Sequence, residues 1–124
     1  MFELARVLLI DDDPVQLRVR ETILRNAGVE VHVATTAESA LALLRTSFGN
    51  SVGVIITDHI MPKVSGAEFV RRLRQVKPEV PVIVVSGLAE AEEEYDGLHV
   101  QFRQKPLPPP QLIELVQSIL SGSA

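Results

Sequence analysis

The sequence predicts an α/β domain, a parallel five-stranded sheet with helices packed on both faces. Short β-branched runs alternate along the chain with stretches of helical periodicity, the order expected when each strand is followed by a crossover helix. The runs Val7-Leu8-Leu9-Ile10, Val54-Ile55-Ile56 and Val82-Ile83-Val84-Val85 are continuously apolar, as central strands buried on both faces should be. The chain has 124 residues, 46% of them hydrophobic, which suits one domain over residues 1–124 with a single core.

The first strand falls near residues 5–10. Asp13 followed by Pro14 reads as an N-cap with proline at the first helical position, and Asn26-Ala27-Gly28 ends that helix with a glycine available for a left-handed turn. Strand two, near 29–34, alternates Val29, Val31 and Val33 with Glu30, His32 and Ala34, which suggests an edge strand with one wetter face. Thr35 with Glu38 has the capping-box spacing that opens a second helix. Ser47 to Val52 is linker-like, ahead of strand three near 53–57. Ser65 with Glu68 repeats the capping-box spacing before a third helix, whose apolar stripe is Phe69, Val70, Leu73 and Val76, with Arg71, Arg72, Arg74 and Lys77 elsewhere around it. Strands four and five fall near 81–85 and 99–103, with a fourth helix between them. Leu112, Leu115, Val116, Ile119 and Leu120 form the stripe of a fifth helix, and Ser121 to Ala124 reads as a flexible tail.

Composition narrows the function. Formal net charge is −4, and Lys and Arg are scattered rather than massed, which argues against nucleic-acid binding by this domain. There are no cysteines, so disulfides, thiolate catalysis and zinc ribbons are excluded. No apolar run approaches the ~18 to 20 residues of a membrane span, and Met1-Phe2-Glu3-Leu4-Ala5-Arg6 lacks the layout of a signal peptide. The expected location is the cytoplasm, with no membrane partner.

Chemistry concentrates where strands end. Asp11, Asp12 and Asp13 follow strand one and Asp58 follows strand three. Carboxylates within ~4 Å repel by about 4 kcal/mol per pair at an effective dielectric of ~20, so the group calls for a cation or shared protons. In open α/β sheets ligands bind beyond the carboxyl ends of the strands, where Ser86-Gly87 and Lys105-Pro106 also fall. Oxygen donors suit Mg²⁺, and the metal, the Ser86 hydroxyl and the Lys105 charge could together neutralise a phosphoryl group arriving at a carboxylate.

Over essentially its whole length the chain resembles the receiver domain of two-component response regulators, through Leu8-Leu9-Ile10-Asp11-Asp12, Asp58-His59-Ile60-Met61-Pro62-Lys63-Val64-Ser65-Gly66, Val84-Val85-Ser86-Gly87 and Phe102-Arg103-Gln104-Lys105-Pro106. The resemblance implies a flavodoxin-like three-layer sandwich with strand order 2-1-3-4-5 and five helices. It further implies transfer of a phosphoryl group from a sensor histidine kinase or histidine phosphotransfer protein onto Asp58, with Mg²⁺ or Mn²⁺ held by Asp11, Asp12, Asp58 and the backbone carbonyl of Ile60. Ser86 would bind a phosphoryl oxygen, Lys105 would pair with the acceptor and then the phosphate, and a cis peptide would precede Pro106. Ser86 and Phe102 would form the switch, reshaping the face of helix four, strand five and helix five toward a downstream protein target, a face through which family members often form homodimers. The expectation is a phosphorylation switch, not an enzyme beyond its own phosphoryl transfer and slow dephosphorylation.

Other readings stand beside these. Asp13 is a helix cap, Phe102 is equally a plain core residue, and His32, His59 and His99 lack ligand spacing and read as structural or solvated. Glu90, Glu92, Glu93, Glu94 and Asp96 read as a solvated helix face or a partner contact. The stretch from Ser86 to Lys105 is short for the family, so helix four is expected to be reduced or irregular. Ile60 and Leu88, two residues beyond Asp58 and Ser86, are apolar and cannot orient an attacking water, which predicts slow loss of the phosphoryl group. The alternatives are a haloacid dehalogenase-type phosphatase using Asp11 as nucleophile and Asp13 as acid and base, and a receiver-like binding module that is not phosphorylated.

Overall fold

The structure is a computed structural model and describes residues 6–122; the start of strand one at residue 5 and the last tail residues, Ser123 and Ala124, lie outside the described residues. The elements run β1 (Arg6–Ile10), α1 (Pro14–Asn26), β2 (Glu30–Ala34), α2 (Ala37–Leu44), a 3-10 helix (Ser47–Ser51), β3 (Val52–Asp58), α3 (Gly66–Val76), β4 (Val82–Ser86), a second 3-10 helix (Ala89–Tyr95), β5 (Gln101–Gln104) and α4 (Pro109–Leu120). All strands pair in parallel in the order β2-β1-β3-β4-β5. The doubly wound sheet and its flavodoxin-like order are as the residues and the resemblance imply.

Two cores sandwich the sheet. Leu8, Ile10, Val82 and Val84 face α2, α3 and Tyr95, while Val7, Leu9, Ile83 and Val85 face α1 and α4. Side chains along a strand alternate between faces. β3 departs from that rule at its start. Arg6 pairs with Val52 but Val7 with Val54, so the irregularity at Gly53 puts Val52 and Ile55 in one core while Val54 and Ile56 enter the other. Among the described residues, no helix is long and apolar enough to cross a membrane.

The caps follow the local chemistry. Asp13 accepts from the amides of Val15 (2.9 Å) and Gln16 (3.4 Å), and Gly28 has φ 86°, as the left-handed turn requires. Ser65 Oγ accepts from the Glu68 amide at 3.1 Å, but the Glu68 carboxylate turns outward to Arg71 and Arg72 instead of closing the box. The cap of α2 is Thr36, accepting from Ser39, one residue beyond the predicted Thr35 and Glu38 pair. The linker-like stretch from Ser47 to Val52 is a 3-10 helix whose last neighbour, Val52, already belongs to β3.

The fourth crossover is short, as expected. Five helices are present in the predicted order only if the 3-10 helix Ala89–Tyr95 is counted as the fourth; the predicted fifth is α4. Arg74, on α3, pins this region by donating to the carbonyls of Leu98 (2.9 Å), His99 (3.1 Å), Val80 (2.7 Å) and Lys77 (3.2 Å).

Candidate functional site

The chain reverses direction across the sheet between β1 and β3, and such a switch point opens a crevice at the strands' carboxyl ends. Asp11 leaves β1 there, and Asp58 is the last residue of β3. Both are buried, at 0% and 6% exposure, which is uncommon for carboxylates and needs compensation.

Lys105 supplies much of it. Its ammonium lies 2.9 Å from Asp58 Oδ1 and 3.1 Å from Oδ2, close to both oxygens at once. The Lys105 amide donates to the Ser86 carbonyl at 2.8 Å, fixing the loop after β5 against the end of β4, and the Lys105–Pro106 peptide is cis. Ser86 is buried, and its Oγ accepts from the Leu88 amide at 3.0 Å, leaving its hydroxyl proton free to donate.

Asp11 is held differently. Its Oδ1 accepts from the Asp13 amide at 2.9 Å, while its Oδ2 is buried without a hydrogen-bond partner. Burial pushes the Asp11 carboxyl up, and the nearby charge of Asp58 adds to that, against the lowering by the Asp13 amide, Arg20 and Lys105. A buried carboxylate oxygen with no hydrogen-bond partner, within the electrostatic reach of a second carboxylate, fits a hard divalent cation. Among the described residues, no three acidic or histidine side chains form a cage by themselves. Mg²⁺ does not require one, because it keeps several waters and takes only one or two carboxylates with the rest. Asp12 is exposed at the mouth, and Ile60 is 64% exposed.

Four further residues at the site were not singled out from sequence for these contacts. Gln16 Oε1 accepts from Lys105 Nζ at 3.1 Å and from Arg20 at 3.4 Å, and Gln16 Nε2 donates to Asp13 Oδ2 at 3.3 Å. Arg20 lies one helical turn further along α1, 3.5 Å from Asp11 Oδ2. Just past the end of β3, His59 Nδ1 bonds the Tyr95 hydroxyl at 2.7 Å, and His59 Nε2 is 3.4 Å from Glu94. Burial pushes the Tyr95 phenol far above its usual range, so it stays neutral and can donate to His59. Tyr95 is also the ring next to Phe102, 5.9 Å between centroids, so half-buried Phe102 packs against the 3-10 helix. His59 is thus structural, one of the two roles the sequence allowed it.

The state of Asp11 gives a measurable sign. A carboxyl whose folded pKa is raised contributes stability that is full below the unfolded value, ~3.9, and lost as pH rises through the folded value. The raised Asp11 carboxyl therefore lowers the stability of the fold at pH 7 relative to acid. Asp11→Asn is expected to melt at a higher temperature than the parent at pH 7 in EDTA, with the two converging as pH falls below about 4. Equal or lower melting of the variant at pH 7 would refute this account of Asp11.

Residues 7–117 match the family described as response regulator receiver domain. A probable transcriptional regulator, ycf27, of Porphyra purpurea is 30% identical over 118 residues, which cover 93% of this chain and 47% of that protein. The sensor kinase CckA of Brucella abortus is 33% identical over 86 residues, covering 69% of this chain and 9% of the kinase. The chain thus spans about half the length, or less, of these curated relatives. A crystal structure of a CheY-like receiver domain protein from Methanospirillum hungatei superposes with a TM-score of 0.86 at 28% identity, covering 97% of this chain and 96% of that one.

Proposed function

The chain belongs to the response regulator receiver domain family, and from that premise we propose that Asp58 accepts a phosphoryl group from a histidine kinase or a histidine phosphotransfer protein. The carrying observation is the buried Asp58 carboxylate at the end of the central strand, with the Lys105 ammonium within 3.1 Å of both its oxygens. In the transfer, the donor's phosphorus–nitrogen bond breaks, an Asp58 oxygen forms the new bond to phosphorus, and the donor imidazole takes up a proton. The three phosphoryl oxygens then need positive charge and donors.

Lys105 turns from the carboxylate to a phosphoryl oxygen, and the Ser86 hydroxyl donates to another. Mg²⁺ or Mn²⁺, when bound, supplies the remaining charge neutralisation, with Asp11, Asp58, Asp12 and the Ile60 carbonyl as the residues that would hold it. The output is read at the 3-10 helix Ala89–Tyr95, β5 and α4, where Phe102 packs on Tyr95. A downstream protein, or a second copy of the chain, would bind that face, and the cytoplasm is where such a kinase partner would meet it. The domain acts as a switch and not as a turnover enzyme.

The phosphatase alternative is poorly supported. It needs Asp13 as a general acid, yet Asp13 caps α1, and hydrogen bonds from the Gln16 side chain and the Val15 and Gln16 amides hold its carboxyl below the usual range.

Incubation with acetyl phosphate and Mg²⁺, followed by intact mass measurement, tests the proposal. A Mg²⁺-dependent phosphoryl gain on the parent and none on Asp58→Ala is expected. No gain on the parent would favour a binding-only receiver. Ile60 and Leu88, 64% and 41% exposed, put apolar groups at the mouth where a water would need orienting. The phospho-form is accordingly expected to outlast seconds once acetyl phosphate is removed.

A further inference from the structure

We propose that Arg20 is a built-in competitor for the cation site, setting how much Mg²⁺ the domain needs before it can be loaded. The inference rests on reading the site as a Mg²⁺-dependent phosphoacceptor. Leu17, Arg20 and Leu24 stand on the side of α1 that faces the sheet, and the Arg20 side chain is only 12% exposed. Its guanidinium is therefore delivered to Asp11 by the same packing that seats the helix. Asp11 Oδ1 is already committed to the Asp13 amide, so Oδ2 is the oxygen left for a cation. Arg20 Nη1 lies 3.5 Å from that Oδ2, and both atoms are buried without a hydrogen bond.

A guanidinium close enough to share charge with an oxygen, but not bonded to it, is a placeholder. A divalent ion entering the site must take the same oxygen. Two consequences follow, and they have the same sign. The bound ion is repelled by Arg20, and the metal-free state is stabilised because Arg20 offsets the buried charge of Asp11. Gln16 ties this to the acceptor side, since its Oε1 is shared between Arg20 and Lys105. Displacing Arg20 would leave Gln16 Oε1 to Lys105 alone, with Gln16 Nε2 still on Asp13.

Arg20→Met keeps the apolar stem and removes the charge, and Arg20→Lys keeps a charge. MgCl₂ titrations of the parent and both variants, followed by backbone amide NMR shifts, measure the affinity directly without phosphorylation. Binding to Arg20→Met is expected to be about tenfold tighter than to the parent, with Arg20→Lys close to the parent. Equal or weaker binding by a folded Arg20→Met overturns the competition while leaving the site intact. Failure of the parent itself to bind MgCl₂ overturns both the competition and the reading beneath it. If Arg20→Met does not fold, the Arg20 Nε–H signal of the parent decides. It must shift with the same MgCl₂ midpoint as the Asp58 amide, and an unmoved signal refutes the proposal.

Discussion

Gly66→Ala is expected to lose about 3 kcal/mol of stability and to lower the melting temperature by roughly 10 °C. A Cβ at this position would overlap the Asp58 carbonyl oxygen, lie 2.6 Å from the Tyr95 hydroxyl and 2.9 Å from the His59 Cα. Two of those neighbours are backbone. β3 is paired to β1 on one side and β4 on the other, so the Asp58 carbonyl cannot retreat without breaking a ladder. The loop cannot simply widen either, because the Gly66 amide donates to the His59 carbonyl at 2.7 Å and Ala67, Phe69 and Val70 behind it are fully buried. Tyr95 would have to move, which breaks its hydrogen bond to His59 and disturbs its contact with Phe102. Gly87 is the internal control on the other side of the site. A Cβ there meets nothing within 4 Å and its φ is not left-handed, so Gly87→Ala should stay within about 0.5 kcal/mol of the parent. Circular dichroism melts of the two variants decide the matter, and a Gly66→Ala protein that melts with the parent would show that the loop yields where the packing says it cannot.

The fold was legible where burial is symmetric. β1, β3 and β4 are covered on both faces, so their residues announce themselves as unbroken apolar runs. Features set by one residue of offset were not legible. Thr35 and Thr36 are adjacent and chemically the same, and only the backbone path from β2 decides that Thr36 does the capping. The irregularity at Gly53 exists because β3 must pair with β1, a relation between segments rather than a property of either. The same division holds at the site. Asp11, Asp58, Ser86 and Lys105 could be found because each sits at or just past the end of a strand in a sheet whose ligand edge is known. Arg18, Arg20 and Arg25 look alike in the sequence, whereas the side chain of Arg20 is 12% exposed and that of Arg25 52%. The spacing of Leu17, Arg20 and Leu24 does hold the clue, since a residue three after one core leucine and four before another shares their face. His59 and Tyr95 gave no comparable signal. They are 36 residues apart, and their bond depends on a 3-10 helix that the glutamate-rich sequence presents as an ordinary solvated face.

If Asp58 is the phosphoacceptor proposed above, Lys105→Met should slow phosphorylation by acetyl phosphate roughly 100-fold while leaving the domain folded. Methionine keeps a flexible stem but brings no charge and no donor, so the substitution removes the ammonium from both Asp58 oxygens and from Gln16 Oε1. Two losses are combined in that number. One is electrostatic in the resting state, since among the described residues the buried pair Asp11 and Asp58 retains Arg20 alone as a close cation. The other appears only during transfer, when a phosphoryl oxygen finds no ammonium, and removal of one such preorganised donor is typically worth 10²- to 10³-fold. Mg²⁺ separates them. A divalent ion at Asp11 would supply the resting charge, so the melting temperature of Lys105→Met should approach the parent's as MgCl₂ is raised. It does not stand where the ammonium stood, so the rate deficit should persist at saturating MgCl₂. A variant whose rate recovers together with its stability would make Lys105 a counter-ion of the resting carboxylates alone, and the phosphoryl oxygen would then have to be met by Ser86 and the metal.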